Sequence, residues 1–199
     1  MQRTVLYRQL ITLLWLAWAL YWVVSATGNK VTRRRESLGS RLAHIVPLTL
    51  GGVLLAWHAA PVGVLRDRLW PSSFTAYWIG VALIALGLAF SVWARVHLGS
   101  NWSGSVTVKE AHELIRSGPY RYVRHPIYTG LLAAVLGSAI ASGTVRALLG
   151  LLIIAVALVR KSRIEERFMR ETFPDEYARY RAQTPALIPF TKFRRSAPR

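Results

Sequence analysis

The chain contains no cysteine. That excludes a disulfide framework, a thiolate nucleophile and a Cys-ligated metal. Acidic residues are scarce, with 9 Asp and Glu against 26 Lys and Arg, so the formal charge is +17. Such a balance ordinarily points to nucleic acid or to an anionic lipid surface. Disorder is excluded, because 53% of the 199 residues are hydrophobic and need burial. The mean hydropathy of +0.29 suggests a membrane protein, and where the charge sits decides between membrane and nucleic acid.

Long stretches also lack charge of either sign. Gln9–Asn29 runs for 21 residues, Leu42–Leu65 for 24, Leu69–Ala94 for 26 and His125–Val145 for 21. A helix needs about 20 mostly apolar residues to cross the hydrocarbon core, so each of these qualifies. Ala147–Val159 has only 13 and qualifies if Arg146 and Arg160 reach outward from its ends. Ser142-Gly143-Thr144 reads as a tight turn, making the last two runs a helical hairpin over residues 126–160. The first run outlasts a usual signal-peptide core of about 7–15 residues and is followed by basic residues, so a retained helix is expected. The expectation is an all-α integral membrane protein of five spans, with an N-terminal three-helix region over 1–94 and a second region over 95–199.

Five spans place 21 of the 26 basic residues on one face. The positive-inside rule then puts the N-terminus outside and the C-terminus in the cytoplasm of a cell membrane. Eight of nine acidic residues share the cytoplasmic face, Asp67 being the exception. Arg33-Arg34-Arg35 reads as an orientation signal touching anionic lipid, and no nucleic-acid partner is expected.

Within the spans the polar residues carry little chemistry. His44 and His58 lie about 21 Å apart along a helix and cannot share a metal ion, and no metal is expected. Trp15, Trp18 and Trp22 form a stripe that packs against lipid or a neighbouring helix, or else walls a lipidic substrate. Gly51-Gly52, Gly80 and Gly87 permit close helix contact.

Residues 97–130 and the tail are written differently. Lys109–Arg116 has a short helical pattern, stopped by Ser117-Gly118-Pro119. Tyr120, Arg121, Tyr122, Arg124, His125 and Tyr128 then fall within nine residues. Pro126 suits the first position of a helix, which sets His125 at an N-terminus that favours an anion. The fifth helix is expected to run past the membrane to about Thr172, where Pro174 stops it. Glu165 and Glu166 point about 100° apart, so one is expected to face a cationic ligand while the other pairs with Arg163 or Arg170.

The ordered set Arg124-His125-Pro126, Tyr128, Gly130, a hydrophobic stretch and Glu165-Glu166 resembles the isoprenylcysteine carboxyl methyltransferase family, in its bacterial branch. His97–Ser103 and the tail residues Tyr177, Tyr180 and Pro189 extend the likeness over about residues 95–190. The resemblance implies a membrane methyltransferase that uses S-adenosylmethionine and releases S-adenosylhomocysteine. Consistently, no G-x-G-x-x-G follows a strand-like segment. It further implies a cofactor site built from the loop before the fourth helix and the extension of the fifth. Carried over by motif, the cofactor contacts are Ser105, His112, Glu113, Leu114, Ile115, Tyr120, His125, Pro126, Ile127, Tyr128 and Glu165. Lys161, Arg163 and Arg124 are the implied catalytic residues. Lys161, Arg160, Asn101 and Trp102 are the implied substrate contacts. The implied acceptor is lipophilic, of the isoprenylcysteine carboxylate type, prenylated or small, and is expected to enter from the bilayer. The motif also resembles phospholipid amine methyltransferases and, more loosely, NADPH-dependent membrane sterol reductases. A non-catalytic membrane scaffold is the remaining alternative.

Overall fold

The computed structural model describes residues 2–26, 32–35, 37–56, 63–99, 102, 107–109 and 114–191. Among the described residues six α-helices follow in order: α1 Gln2–Ser25, α2 Leu38–Ala56, α3 Phe74–Leu98, α4 Pro126–Ser142, α5 Val145–Thr172 and α6 Pro174–Gln183. The first five each overlap one charge-free run. α5 ends at Thr172, as the sequence anticipates, and Pro174 opens a further helix, α6, which it does not.

One departure from the all-α expectation is a short antiparallel ribbon, β1 Thr32–Arg35 with β2 Thr107–Lys109. The arginine cluster therefore sits on a strand. The helix expected over Lys109–Arg116 is absent at both described ends. Lys109 closes β2, and Leu114–Arg116 is irregular. A strand needs a partner far away in sequence, which the local helical pattern could not reveal.

Glycines set the helix packing. A Cβ added to Gly80 would lie 2.5 Å from the Gly137 carbonyl oxygen, and Gly87 faces Gly130 in the same way. The backbones of α3 and α4 thus touch directly. Gly51 meets Gly150 and Ile154, joining α2 to α5. The α4–α5 turn uses Gly143 at φ 64°, a left-handed conformation that glycine adopts without strain. Above this turn the Arg68–Trp70 segment is stitched down: Leu69 N donates to Gly143 O, and Trp70 Nε1 donates to Ile140 O.

α1 is held by side chains. Ile11, Leu14, Trp15 and Trp18 pack on Ile84, Leu88 and Ala134. Trp15 Nε1 donates to Ser138 Oγ at 3.1 Å, and Trp18 Nε1 donates to Ser91 Oγ at 2.8 Å. At its end, Arg95 of α3 donates to the Ser25 carbonyl and lies 4.4 Å over the Trp102 ring. His44 is buried in α2, and His58 lies outside the described residues.

Outward positions are apolar. Val23 is 72% exposed, Leu86 70% and Val156 70%. Isolated in water, such a band is costly; against acyl chains it is not. Among the described residues, α2 and α3 are long and apolar enough to cross a membrane by length and composition.

Candidate active site

The site is assembled at the start of α4. Gly118, at φ 56°, lets the chain turn beneath His97, whose ring a Cβ there would meet at 2.7 Å. The following turn, Gly118–Arg121, buries Pro119 and Tyr120. Pro126 then opens α4, with its φ already set for a helix. The tail returns to cover this corner. Arg124 N donates to Pro185 O, His125 N to Ala186 O, and Thr129 Oγ1 to Leu187 O. Tyr180 Oη donates to Tyr120 O at 2.6 Å. The anion site expected at the helix start is therefore partly taken. His125 spends its own N–H on a tail carbonyl.

Both glutamates converge on one imidazole. Glu165 Oε2 lies 3.3 Å from His125 Nδ1, and Glu166 Oε1 lies 3.3 Å from Nε2. Two carboxylates facing both ring nitrogens call for the imidazolium, which donates from each. Burial favours a neutral ring, but hydrogen bonds to Glu165 and Glu166 outweigh it and raise the His125 pKa. Burial likewise opposes ionised Glu165, and bonding to His125, the Lys161 charge and the Tyr128 hydroxyl lower its pKa all the same. Glu166 is held down to about 2 against burial by His125 and Arg124. Burial pushes the phenols of Tyr120, Tyr177 and Tyr180 upward, so they stay neutral donors.

The partner of Glu166 differs from expectation. It is neither Arg163 nor Arg170 but Arg124, whose Nε and Nη2 reach Glu166 Oε1 at 2.9 and 2.5 Å. Arg124 Nη1 also donates to the Thr184 and Arg181 carbonyls. Arg181 approaches Glu166 Oε2 at 3.8 Å. Sequence reasoning missed this pairing because a contact spanning 42 residues has no local signature.

Glu165 instead turns to the interior. Tyr128 Oη donates to its Oε1, the His125 and Tyr128 rings stack at 5.6 Å, and Lys161 Nζ lies 5.5 Å over the Tyr128 ring. These groups open onto a cavity of about 1780 Å³. Of the sequence-predicted residues, Trp102, Leu114, Ile115, Tyr120, Arg124, His125, Pro126, Ile127, Tyr128, Lys161 and Glu165 all line it. Trp15, Trp18 and Trp22 form part of its apolar wall, and Trp15 and Trp18 also pack on α3 and α4, so both readings of the stripe hold. Arg160 turns away and donates to Ser40 O at 3.1 Å. Arg163 is exposed. Asn101, Ser105, His112 and Glu113 lie outside the described residues.

A bundle of apolar helices with a charged, aromatic corner at one end defines the class: a helical membrane protein with an enzyme-like interior site. The phospholipid methyltransferase family model matches residues 75–176, and the chain belongs to that family. It is 31% identical over 137 residues to the cobalt-zinc-cadmium resistance protein CzcN of Cupriavidus metallidurans, covering 67% of this chain and 62% of that one. It is 32% identical to the protein-S-isoprenylcysteine O-methyltransferase of Schizosaccharomyces pombe, covering 55% of this chain and 48% of that one. The Arabidopsis thaliana protein-S-isoprenylcysteine O-methyltransferase B is 24% identical, with 63% of each chain covered. The chain thus spans less than two thirds of each of these relatives. Its fold is similar to a solved eukaryotic intramembrane Ras methyltransferase ICMT, with TM-score 0.53 and 23% identity over 79% of this chain and 55% of that one.

Proposed function

We propose that the protein is an S-adenosylmethionine-dependent methyltransferase acting in the membrane on a lipophilic acceptor. The observation that carries this is Glu165, an ionised carboxylate held by Tyr128 and His125 at the inner end of an apolar cavity.

The residues suit the cofactor's chemistry. An ammonium group is matched by Glu165. The faces of Tyr128 and Tyr120 suit a sulfonium cation. Leu114, Ile115 and Ile127 offer apolar surface to a purine. When bound, S-adenosylmethionine supplies a methyl group on a positively charged sulfur and leaves S-adenosylhomocysteine as product.

The chain's own task is positioning, which contributes most to an in-line displacement. Lys161, one turn before Glu165 on α5 and beside Tyr128, is the residue placed to aim an anionic acceptor. A carboxylate acceptor is ionised at pH 7 and needs no general base. A phospholipid amine would have to lose a proton, and both nearby carboxylates are held ionised by strong partners. That contrast favours an isoprenylcysteine-type carboxylate over an amine. Arg124 acts through Glu166 and is a positioning residue. In this reading five helices cross the membrane, with the site and C-terminus in the cytoplasm.

Calorimetry on the purified, detergent-solubilised protein tests the proposal. S-adenosylmethionine should bind, and Glu165→Gln should weaken it at least tenfold. Binding of NADPH in its place would establish the reductase reading. Binding of neither would establish a scaffold.

A further inference from the structure

The cavity is too long for its catalytic corner. A pocket of about 300–1,000 Å³ holds a drug-sized ligand, whereas this one reaches about 1780 Å³. It continues along α4, whose 17 residues span roughly 25 Å, to the opposite end of the bundle.

The two ends differ in chemistry: the inner corner mixes Glu165 with Arg124, His125 and Lys161, and the far end is lined by arginines and hydroxyls. At the far end the cavity is lined by Arg66, Arg68, Arg146, Ser72, Ser73 and Thr144. Arg66 and Arg68 are exposed, and Arg68 Nε is fixed by the Trp70 carbonyl at 3.2 Å. Arg146 is buried, capping the end of α2 through the Leu54 and Leu55 carbonyls. Asp67 is the sole acidic residue between 37 and 109. Between the ends the wall is apolar, formed by Ile11, Trp15, Leu55, Val135 and Ile154. Its few polar atoms are consumed within it, since the Trp15 indole donates to Ser138.

We propose that the outer half of this cavity is a binding site for an anionic glycerophospholipid, distinct from the methyl-acceptor site. Its phosphate sits on Arg66 and Arg68, whose planar forks match phosphate oxygens. Its glycerol oxygens meet the hydroxyls of Ser72, Ser73 and Thr144. Its acyl chains fill the shaft beside Trp15 and α2. The charge excess selects an anionic headgroup over a zwitterionic one.

Gly52 gives a second handle on the same site. It lines the shaft, and a Cβ built there meets nothing within 4 Å. Gly52→Phe therefore starts from open space in the shaft and leaves both exposed arginines, Arg66 and Arg68, in the chain.

The test uses the full chain reconstituted in vesicles of phosphatidylcholine with a minor fraction of phosphatidylglycerol, then extracted in mild detergent. Retained lipid is counted by native mass spectrometry. The wild type should hold about one phosphatidylglycerol and discriminate against phosphatidylcholine. The Arg66→Gln/Arg68→Gln double variant should lose retention about tenfold, and Gly52→Phe should lose it comparably with the arginines intact. S-adenosylmethionine binding should stay at the wild-type level in both variants, which separates this site from the cofactor corner. Equal retention of both lipids, or loss with the arginine variant but not with Gly52→Phe, overturns the proposal. If the arginine variant does not fold, retention of phosphatidylglycerol by Gly52→Phe overturns it alone.

Discussion

Arg124 and Glu166 form a buried ion pair at 2.5 Å that ties the start of α4 to the extension of α5. Arg124 also reaches the tail carbonyls, so one guanidinium joins three segments. Removing one partner of a buried pair leaves the other charge stranded. Glu166→Ala should therefore destabilise the protein by about 3–5 kcal/mol. Arg124→Lys should recover little, because an ammonium cannot reproduce the fork. Thermal unfolding in detergent, followed by tryptophan fluorescence, measures both; a variant melting with the wild type would show the pair to be dispensable.

Tyr128 tests the neighbouring carboxylate more gently. Tyr128→Phe keeps the ring that stacks on His125 but loses the hydrogen bond to Glu165. A hydrogen bond to a charged group contributes about 1.5–3 kcal/mol, so S-adenosylmethionine affinity should fall roughly tenfold or more. Unchanged affinity by calorimetry would place the cofactor elsewhere.

The His125 triad predicts a stability optimum on the mildly acidic side. Glu165 and Glu166 have lowered pKa values, so their contribution is complete above the ordinary carboxyl value of 4.5 and fades as pH falls, for Glu166 toward about 2. His125 has a raised value, so its contribution is complete below 6.5 and is lost as pH rises through the raised value. Melting temperature should level off between 4.5 and 6.5 and decline on both sides. His125→Gln should remove the alkaline decline and leave a smaller acid one, carried by Arg124 beside Glu166 and by Lys161 and Tyr128 beside Glu165.

The close helix contact makes a steric prediction. Gly80→Leu drives a side chain into the Gly137 carbonyl and Ala141. No rotamer change relieves a backbone clash, so α3 and α4 must separate, and expression of folded protein should fall sharply. Gly39→Leu, with open space around it, is the matched control and should express normally.

Orientation is testable because the chain has no cysteine of its own. Ser72 and Thr191 are exposed at opposite ends. In intact cells an impermeant maleimide should label Ser72→Cys, while Thr191→Cys should react only after lysis. The reverse pattern would invert the topology.

The helices were legible because charge-free runs and Pro126 or Pro174 mark them locally. The inner corner was legible through Arg124, His125, Tyr128 and Glu165, which share an ordered motif. The role of Arg124 was not, since its partners are a glutamate 42 residues away and backbone carbonyls that have no residue type. The ribbon escaped for a related reason. Thr32–Arg35 reads as a charge cluster until Thr107–Lys109 lies beside it. The far end of the cavity escaped because nothing local ties Arg66 and Arg68 to Thr144 and Arg146, which only the fold brings beside them.

The glycine seam between α3 and α4 has a consequence for traffic. Where Gly80 meets Gly137 and Gly87 meets Gly130, main chain rests on main chain and leaves no gap for a hydrocarbon. α1, by contrast, closes its side of the cavity through indole rings and two indole–serine bonds. Side chains can rotate aside; a backbone seam cannot. The wall of Trp15, Trp18 and Trp22 is thus held by side chains alone, whereas the α3–α4 seam beneath it is rigid main chain.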